Sequence, residues 1–360
     1  MGLRLLLLAE NYRWQGTGLE HSAVRMCRGL ANRGHDVHIL CDHGEPHDRV
    51  QVHQGLGNVA SVKHRLSPDL VIDWGFHHTA DIHRMGAGTH EGYLKYYMEA
   101  FHGWHRKIKE LEKWMPKHQR VIRRQKRHLS NPNAWFIANS KMTADLAIEG
   151  GVHPDRIEVC HQHIPLEEFN PVEASRKREA LRQAWGVEGD ETVFLFVAHN
   201  LKLKNYDLLR RIFERGNLGR SKLVVIGKHR PNHTAKWLIY GDLADDMLAV
   251  YGAADVLVHP TFFDSCANVA LEAASCELPV IVSQTSGINE ILPENWAFSV
   301  HGPPEIVASR WEEAMLELAH NRSACEKRGK EGLLIARRYE YGEFLDWIEK
   351  RLEQASMRHQ

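Results

Sequence analysis

The sequence predicts an α/β protein with two domains, each built on a parallel β-sheet. Its 360 residues exceed the length at which a single hydrophobic core usually stops growing. Short apolar segments alternate with segments of helical periodicity, a pattern typical of parallel α/β architecture. The apolar segments do not alternate polar with apolar residues, as expected for strands buried on both faces.

Strand and helix candidates follow one another in the order that this fold class requires. The first strand is Leu3–Ala9. After a turn at Gly16-Thr17-Gly18, a helix runs from about Glu20 to Arg33, and Asp36–Cys41 forms the next strand. The later strand candidates are Leu70–Asp73, Trp135–Ala138, Thr192–Ala198, Lys222–Ile226, Val256–Val258 and Val280–Val282.

The domain junction is expected around residues 165–172, where a stretch with prolines and acids separates two strand–turn–helix series. An N-terminal domain is therefore predicted at 1–168 and a C-terminal domain at 169–340. We expect the last segment, 341–360, to be a helix that packs back on the N-terminal domain. Its apolar face consists of Phe344, Leu345, Ile348 and Leu352.

Composition disfavours several classes of protein. The longest early apolar run, Leu3–Ala9, is too short to span a bilayer and lacks the flanks of a secretory signal, so a cytoplasmic chain is expected. Six scattered cysteines without a C-x-x-C pair fit a reducing compartment and disfavour a zinc site. The 25 histidines form no His-Glu-x-x-His motif and no Asp-x-Asp triplet occurs, so neither a metal nor another cofactor is expected.

Basic residues are concentrated in one segment. Positive and negative residues are equal in number, 46 each, but Arg106–Arg127 holds ten Lys and Arg against two acids. Apolar residues accompany them at helical spacing: Trp104, Ile108, Leu111 and Met115. Residues 104–127 are therefore predicted to form helices that can dock on an anionic membrane surface, with a solvated charged face as the alternative. No nucleic-acid partner is expected, because interleaved aromatic platforms are lacking.

The strongest functional pattern is the run HPTFFDSCANVALEA at residues 259–273. A strand ends at its start, a loop follows, and a helix begins near Asn268 and Val269, whose amides can receive a diphosphate. Glu272, one turn into this helix, can accept hydrogen bonds from a ribose, and Asp264 in the loop would face a transferred sugar. Taken alone, the run also fits an ordinary capped helix with one exposed acid.

This run resembles the Glu-x7-Glu motif of the retaining family 4, or "group 1", glycosyltransferases. The second acid is Glu272, followed by Ala273, and Pro279-Val280 are in place. The first acid is the shorter Asp264, and Glu277 stands where a glycine is common. Ser265-Cys266-Ala267 replace the usual Gly-Phe-Gly. Further landmarks in the family order are Gly16-x-Gly18-x-Glu20, Ile137-Ala138-Asn139-Ser140, Gly151-Val152-x-Pro154, Tyr251-x-Ala253-Ala254-Asp255 and Ser286-Gly287-x-x-Glu290.

The resemblance implies the GT-B fold, in which two Rossmann-like lobes flank a cleft, and it assigns further residues. Lys204 matches a family lysine that clamps the donor diphosphate, and His199 takes the position of a family arginine. Gly18 would let the backbone approach the donor, and His90 would lie near the anomeric carbon. His77 and His78 compete with His90 for that role. A solvated loop lysine and a plain turn glycine are the alternatives for Lys204 and Gly18.

The implied activity is transfer of a hexose, with retention, from a nucleoside-diphosphate sugar to a saccharide or lipid-linked acceptor. The donor is expected to be UDP-linked, and no metal is needed, because lysine and helix amides replace it. Within the family the layout looks most like lipopolysaccharide core glucosyltransferases, which act at the inner membrane face. Two alternatives stay open: another GT-B enzyme, such as an epimerase or a sugar phosphorylase, and a non-catalytic protein that binds nucleotide sugars.

Overall fold

The computed structural model describes residues 2–13, 18–76, 78–101 and 103–359. The predicted turn residues Gly16 and Thr17, and His77, lie outside these ranges. The chain divides into two compact units. The first unit comprises Met1–Lys95, Lys107–His161 and Gly342–Gln360, and the second comprises Tyr96–Arg106 and Gln162–Tyr341. These bounds differ from the predicted ones mainly at residues 96–106, which group with the second unit.

Seven parallel strands form the main sheet of the first unit, in the order β5-β3-β1-β6-β7-β8-β9. A short parallel pair, β2 with β4, adjoins the same unit. The strands are β1 (Arg4–Leu8), β2 (Asn11–Tyr12), β3 (Asp36–Cys41), β4 (His43–Gly44), β5 (Val50–Gln54), β6 (Leu70–Asp73), β7 (Ile82–Met85), β8 (Trp135–Ala138) and β9 (Ile157–Val159).

The second unit is built on six parallel strands in the order β12-β11-β10-β13-β14-β15. They are β10 (Thr192–Val197), β11 (Ser221–Ile226), β12 (Leu238–Asp242), β13 (Val256–His259), β14 (Val280–Ser283) and β15 (Ala297–Phe298). The two parallel sheets confirm the predicted α/β class.

The helices of the described residues connect these strands. They are α1 (Gly18–Asn32), α2 (Val59–Leu66), α3 (His90–Tyr97), α4 (Gly103–Glu112), α5 (Pro116–Leu129), α6 (Lys141–Glu149), α7 (Pro171–Ala184), α8 (Tyr206–Glu214), α9 (Met247–Ala253), α10 (Asn268–Ser275), α11 (Pro304–His320), α12 (Arg322–Ala336) and α13 (Tyr341–His359). Short 3₁₀ turns lie at Leu56–Asn58, Met98–Ala100, Pro154–Arg156, Gly287–Glu290, Glu294–Trp296 and Arg337–Tyr339.

Strand β10 shows why the apolar segments lack alternation. Val193 and Leu195 pack into the hydrophobic cluster on one face of the sheet, and Phe194 and Phe196 into the cluster on the other face. All four side chains are fully buried. Because helices cover both faces of this parallel sheet, apolar side chains of β10 are buried on both of its faces.

Helix α13 packs against the first unit. The four residues of its apolar face are buried, and Arg351 donates from Nε to Glu158 in β9 at 2.7 Å. Glu349 pairs with Arg33 and lies 3.0 Å from the His35 ring. Burial of four large side chains, at about 1.5–3 kcal/mol each, is the main force that holds this helix in place.

Candidate active site

The six candidate residues His199, Lys204, Asp264, Asn268, Val269 and Glu272 lie in the second unit, and Gly18 and His90 lie in the first. The second-unit residues follow the carboxyl ends of two neighbouring strands, β10 and β13. In open α/β sheets, ligands bind outside the carboxyl ends of the strands.

The loop after β10 presents Lys204. Asn200 fixes this loop, since its Oδ1 accepts the Leu203 amide at 3.0 Å and its carbonyl accepts the Lys204 amide at 2.9 Å. The Leu203 carbonyl in turn accepts the Phe262 amide at 2.9 Å, which ties the loop to the one after β13. The Lys204 side chain is only 18% exposed.

Lys204 and Asp264 form an ion pair. The Lys204 ammonium donates to Asp264 Oδ2 at 2.5 Å, and His259 Nε2 lies 3.0 Å from the same oxygen. The Cys266 amide donates to Oδ1 at 3.2 Å. Because an ionised carboxylate only accepts hydrogen bonds, the proton in the His259–Asp264 contact belongs to the imidazole. The sequence places His259 in the motif but gives no sign of this role.

Electrostatics keep Asp264 ionised and His259 neutral. Burial opposes the charge of Asp264, but the Lys204 ammonium and the His259 ring outweigh it and hold the pKa of this carboxyl below its usual value. Burial, reinforced by Lys204, lowers the pKa of His259 against the opposing effect of Asp264. A carboxylate with three donors and a depressed pKa is a poor proton acceptor. Its chemistry is to fix Lys204 and to accept hydrogen bonds.

His199 is on the surface of the same loop and is a poor substitute for an arginine. Partial burial lowers its pKa, reinforced by the nearby side chains of Lys204, His229 and Lys228, so the ring is mainly neutral at pH 7. His199 can therefore contribute a hydrogen bond to a ligand here but little charge, whereas Lys204 places a positive charge beside Asp264.

Glu272 lies on α10, and its carboxylate accepts a hydrogen bond from the Tyr251 hydroxyl at 2.6 Å. The residue is buried, whereas Asn268 and Val269 in the first turn of α10 are partly exposed. Tyr251 thus fixes the orientation of the carboxylate. Its position could be found in the sequence, as part of the Tyr-x-Ala-Ala-Asp landmark, but its contact could not.

A cavity of about 330 Å³ lies at the carboxyl ends of β1, β6 and β7 in the first unit. Glu10, Glu20, Arg84 and Gln125 contribute polar groups to it. Gly18 begins α1, two residues before Glu20. Phe76 also lines the cavity, with a φ of 55°, a conformation that is rare for a bulky residue and that often marks functional sites.

His90 begins α3 beside this cavity. Its amide donates to Oε1 of Gln125 at 2.7 Å, and its Nε2 lies 2.9 Å from His118 Nδ1 on α5. The two imidazoles are stacked with 5.1 Å between ring centroids. Burial and His118 lower the pKa of His90, which favours a neutral ring. His78, the competing candidate, lies partly exposed in the loop after β6.

Within residues 2–13, 18–76, 78–101 and 103–359, no group of three or more His, Cys, Asp or Glu side chains is arranged to hold a metal ion. No helix in this part of the chain is long and apolar enough to cross a membrane.

Residues 177–334 match the family model described as "Glycosyl transferases group 1", which spans Lys204, Asp264 and Glu272. D-inositol 3-phosphate glycosyltransferase of Mycobacteroides abscessus is 29% identical over 171 residues, 42% of this chain and 37% of that protein. The chain thus matches about two fifths of the length of this curated relative.

Solved glycosyltransferase structures resemble the chain over nearly its whole length. WaaG, a glycosyltransferase involved in lipopolysaccharide biosynthesis, superimposes with a TM-score of 0.76 at 15% identity, covering 92% of this chain and 95% of WaaG. HepE of Anabaena, in complex with UDP and glucose, gives a TM-score of 0.73 at 13% identity and covers 98% and 100% of the two chains. These findings confirm the predicted resemblance: the chain carries a glycosyl transferases group 1 domain at residues 177–334 and has the fold of the GT-B glycosyltransferases.

Proposed function

We propose that the protein is a retaining hexosyltransferase that uses a nucleoside-diphosphate sugar, UDP-linked, and a saccharide or lipid-linked acceptor such as lipopolysaccharide core. The group 1 domain supports the reaction class. HepE, a structural relative, was solved with UDP and glucose, and WaaG is involved in lipopolysaccharide biosynthesis. These names support the choice of donor and acceptor for this chain.

The observation that carries the proposal is the ion pair between Lys204 and Asp264. Asp264 lies four residues before the start of α10. Lys204 places a positive charge beside Asp264, and the first turn of α10 adds the positive end of a helix dipole. Together they form a site for the donor diphosphate, with Asn268 and Val269 supplying amides and His199 a neutral hydrogen-bonding group. When the diphosphate binds, Lys204 exchanges part of its contact with Asp264 for a phosphate oxygen.

Glu272 and Asp264 are assigned to the two sugars of the donor. The Tyr251 hydrogen bond orients the Glu272 carboxylate to accept from the ribose hydroxyls. Asp264, held ionised by three donors, accepts from hydroxyls of the transferred hexose. Both roles use carboxylates as fixed acceptors and need no proton transfer.

The chemistry follows from these assignments. As the glycosidic bond to the diphosphate lengthens, negative charge grows on the leaving phosphate, where Lys204 stabilises it. The acceptor hydroxyl attacks from the same face as the leaving group, and a phosphate oxygen takes its proton, so the configuration is retained. His90 is assigned to the reacting sugar and Gly18 to close approach of the backbone. Lysine and helix amides take the part of a metal, so none is required.

Nucleotide-sugar turnover tests the proposal. The protein is incubated with UDP-, ADP- and GDP-sugars, with and without a saccharide acceptor, and the released nucleoside diphosphate is measured. We expect slow hydrolysis of a UDP-sugar alone, faster release with acceptor, and no change on adding a chelator. A non-catalytic binder releases nothing, and an epimerase converts the sugar without releasing the diphosphate. Loss of activity with chelator would show that a metal is needed.

We also propose that residues 104–127 attach the protein to the anionic inner face of the cytoplasmic membrane. Helices α4 and α5 carry nine of the ten basic residues of this segment, and Lys113 lies between the two helices. The apolar side chains beside them are exposed: Trp104 by 65%, Leu111 by 71% and Trp114 by 69%. Exposed tryptophans beside lysine and arginine are typical of helices that lie in a lipid interface.

A further inference from the structure

The second unit contains a cavity of about 500 Å³ that the proposed transfer does not use. Lys202 and Asn205, two residues of the loop that presents Lys204, line this cavity. The Lys204 ammonium itself contacts Asp264. Its apolar wall comes from Leu208, Phe262, Val300 and Val307. The volume lies within the range of about 300–1,000 Å³ that is usual for small-molecule sites.

Asn205 gives this cavity an unused polar group. The residue is 9% exposed and has a φ of 60°, and it directly precedes α8 without capping it through its side chain. Among the residues that the structure describes, no group hydrogen-bonds to its side-chain amide. The Asn205 amide lines the cavity and is therefore open to a ligand that accepts or donates at this point.

Two helices begin at the cavity. Helix α8 starts at Tyr206, and α11 starts at Pro304, where the preceding Pro303 offers no side-chain cap. The Tyr206 and Leu208 amides of α8 donate to the Leu201 and Asn205 carbonyls, and the Ile306 amide of α11 donates to the Pro303 carbonyl. These two helix ends therefore favour an anionic group mainly through the positive end of each helix dipole.

Three cationic side chains line the same cavity: Arg106, Lys202 and Arg211. Acids oppose them. Asp207 accepts from Lys202 at 2.7 Å, Glu305 from Arg211 at 2.9 Å, and Glu99 lies 2.9 Å from the His301 ring. The Lys202 and Arg211 side chains are 43% and 44% exposed, so these pairs are surface ion pairs worth little in water. A doubly charged anion can compete for both cations.

We propose that this cavity binds the phosphate of a small phosphomonoester, such as a sugar phosphate. The phosphate lies between Asn205, Lys202 and Arg211 at the two helix N-termini, and the carbon skeleton packs on Phe262 and the two valines. The proposal does not depend on the donor site, because none of its groups is assigned to the transfer reaction.

The test is a calorimetric titration of the full chain with glucose 6-phosphate, with inorganic phosphate and with glucose. Lys202→Gln and Arg211→Gln are each expected to weaken glucose 6-phosphate binding about tenfold or more, because each removes a charge-assisted hydrogen bond. Asn205→Gly keeps the left-handed backbone and removes the amide, and the same loss is expected. Arg322→Gln, which removes a fully exposed cation elsewhere in the unit, is the matched control.

Lys204→Ala separates this cavity from the donor site. If glucose 6-phosphate binding survives Lys204→Ala and falls in the three cavity variants, the proposal is supported even for a protein that transfers no sugar. Tighter binding of glucose 6-phosphate than of inorganic phosphate indicates a phosphorylated small molecule, and equal binding contradicts recognition of its carbon skeleton. Absence of phosphate binding, or binding that needs Lys204 and not Lys202 or Arg211, would overturn the proposal.

Discussion

The Lys204 ammonium lies 2.5 Å from a carboxylate oxygen of Asp264, sixty residues further along the chain. The pair joins the loops after two adjacent strands, β10 and β13, and His259 shares the same oxygen. Within the described residues, the only partner seen for the Lys204 ammonium is this acid. In the proposed reaction, Asp264 holds the ammonium in position for the donor diphosphate.

Lys204→Ala is expected to lower turnover about 100-fold, with a smaller rise in the KM for donor. A lysine placed at the leaving diphosphate acts mainly as charge develops in the transition state. Steady-state kinetics with a UDP-sugar gives both constants. Lys327→Ala, at an exposed position of α12, should change neither. A change in KM alone would mean that Lys204 helps to bind the donor in the ground state but does not stabilise the transition state.

His118→Ala is expected to shift the acid limb of the pH–rate profile upward. His90 has a lowered pKa because of burial and because of His118, so a neutral His90 is retained until the pH falls below its usual titration range. Removing His118 exposes the His90 ring and removes the neighbouring imidazole. The pKa of His90 then rises, and activity is lost at a higher pH than in the wild type. The profile of kcat/KM from pH 5 to 8 tests this, and NMR titration of the His90 ring reports the same shift without catalysis.

His153→Ala, at a position with a 71% exposed side chain, is the control for that profile. An acid limb that is the same in wild type and His118→Ala would show that His118 does not set the pKa on which activity depends.

Glu277→Gly is expected to stabilise the protein by about 1 kcal/mol. Glu277 is exposed and has a φ of 58°, a left-handed conformation that costs an L-residue roughly 1–2 kcal/mol. Glycine relieves this strain, but it loses more conformational entropy on folding, which offsets about half of the gain. The free energy of unfolding from urea denaturation measures the gain. Glu277→Ala keeps the strained backbone and should give none, so equal stability of the two variants would contradict the explanation.

Reversal of Lys117, Arg120 and Arg127 to Glu is expected to abolish sedimentation with anionic vesicles. Each basic residue near such a surface contributes about 1 kcal/mol, so losing three weakens binding at least about 100-fold. The reversal of Arg322, Lys327 and Lys330 carries the same charge change on the second unit and should leave binding intact. Wild-type protein that ignores anionic vesicles at low salt would refute the docking proposal.

Much of the fold was predictable, because buried parallel strands have nearly continuous apolar sequences. Leu70–Asp73, Trp135–Ala138 and Asp36–Cys41 are strands with the predicted bounds. Strand β7 was not predicted, because its sequence, Ile-His-Arg-Met, places two polar residues in the middle of a sheet. Both are buried: His83 stacks between Phe76 and Phe136. Tertiary contacts, which the sequence does not show, make this strand possible.

The candidate site was predictable in part for the same reason. The positions of Lys204, Asp264 and Glu272 follow from motif spacing, but their partners lie far away in sequence. His259 and Tyr251 have no local pattern that marks them as neighbours of the two acids. The glycine expected at Glu277 has a visible cause in the structure, since the backbone there is left-handed.

In the proposed function, the second unit binds the nucleoside diphosphate of the donor through Glu272 and Lys204. We would titrate UDP calorimetrically into the wild type, Glu272→Ala, Tyr251→Phe and the exposed control Glu326→Ala. We expect Glu272→Ala to weaken UDP binding about 10- to 150-fold, because charge-assisted hydrogen bonds to the ribose are lost. Tyr251→Phe should show a smaller loss, and Glu326→Ala none. A folded Glu272→Ala protein that binds UDP as tightly as the wild type would contradict the account.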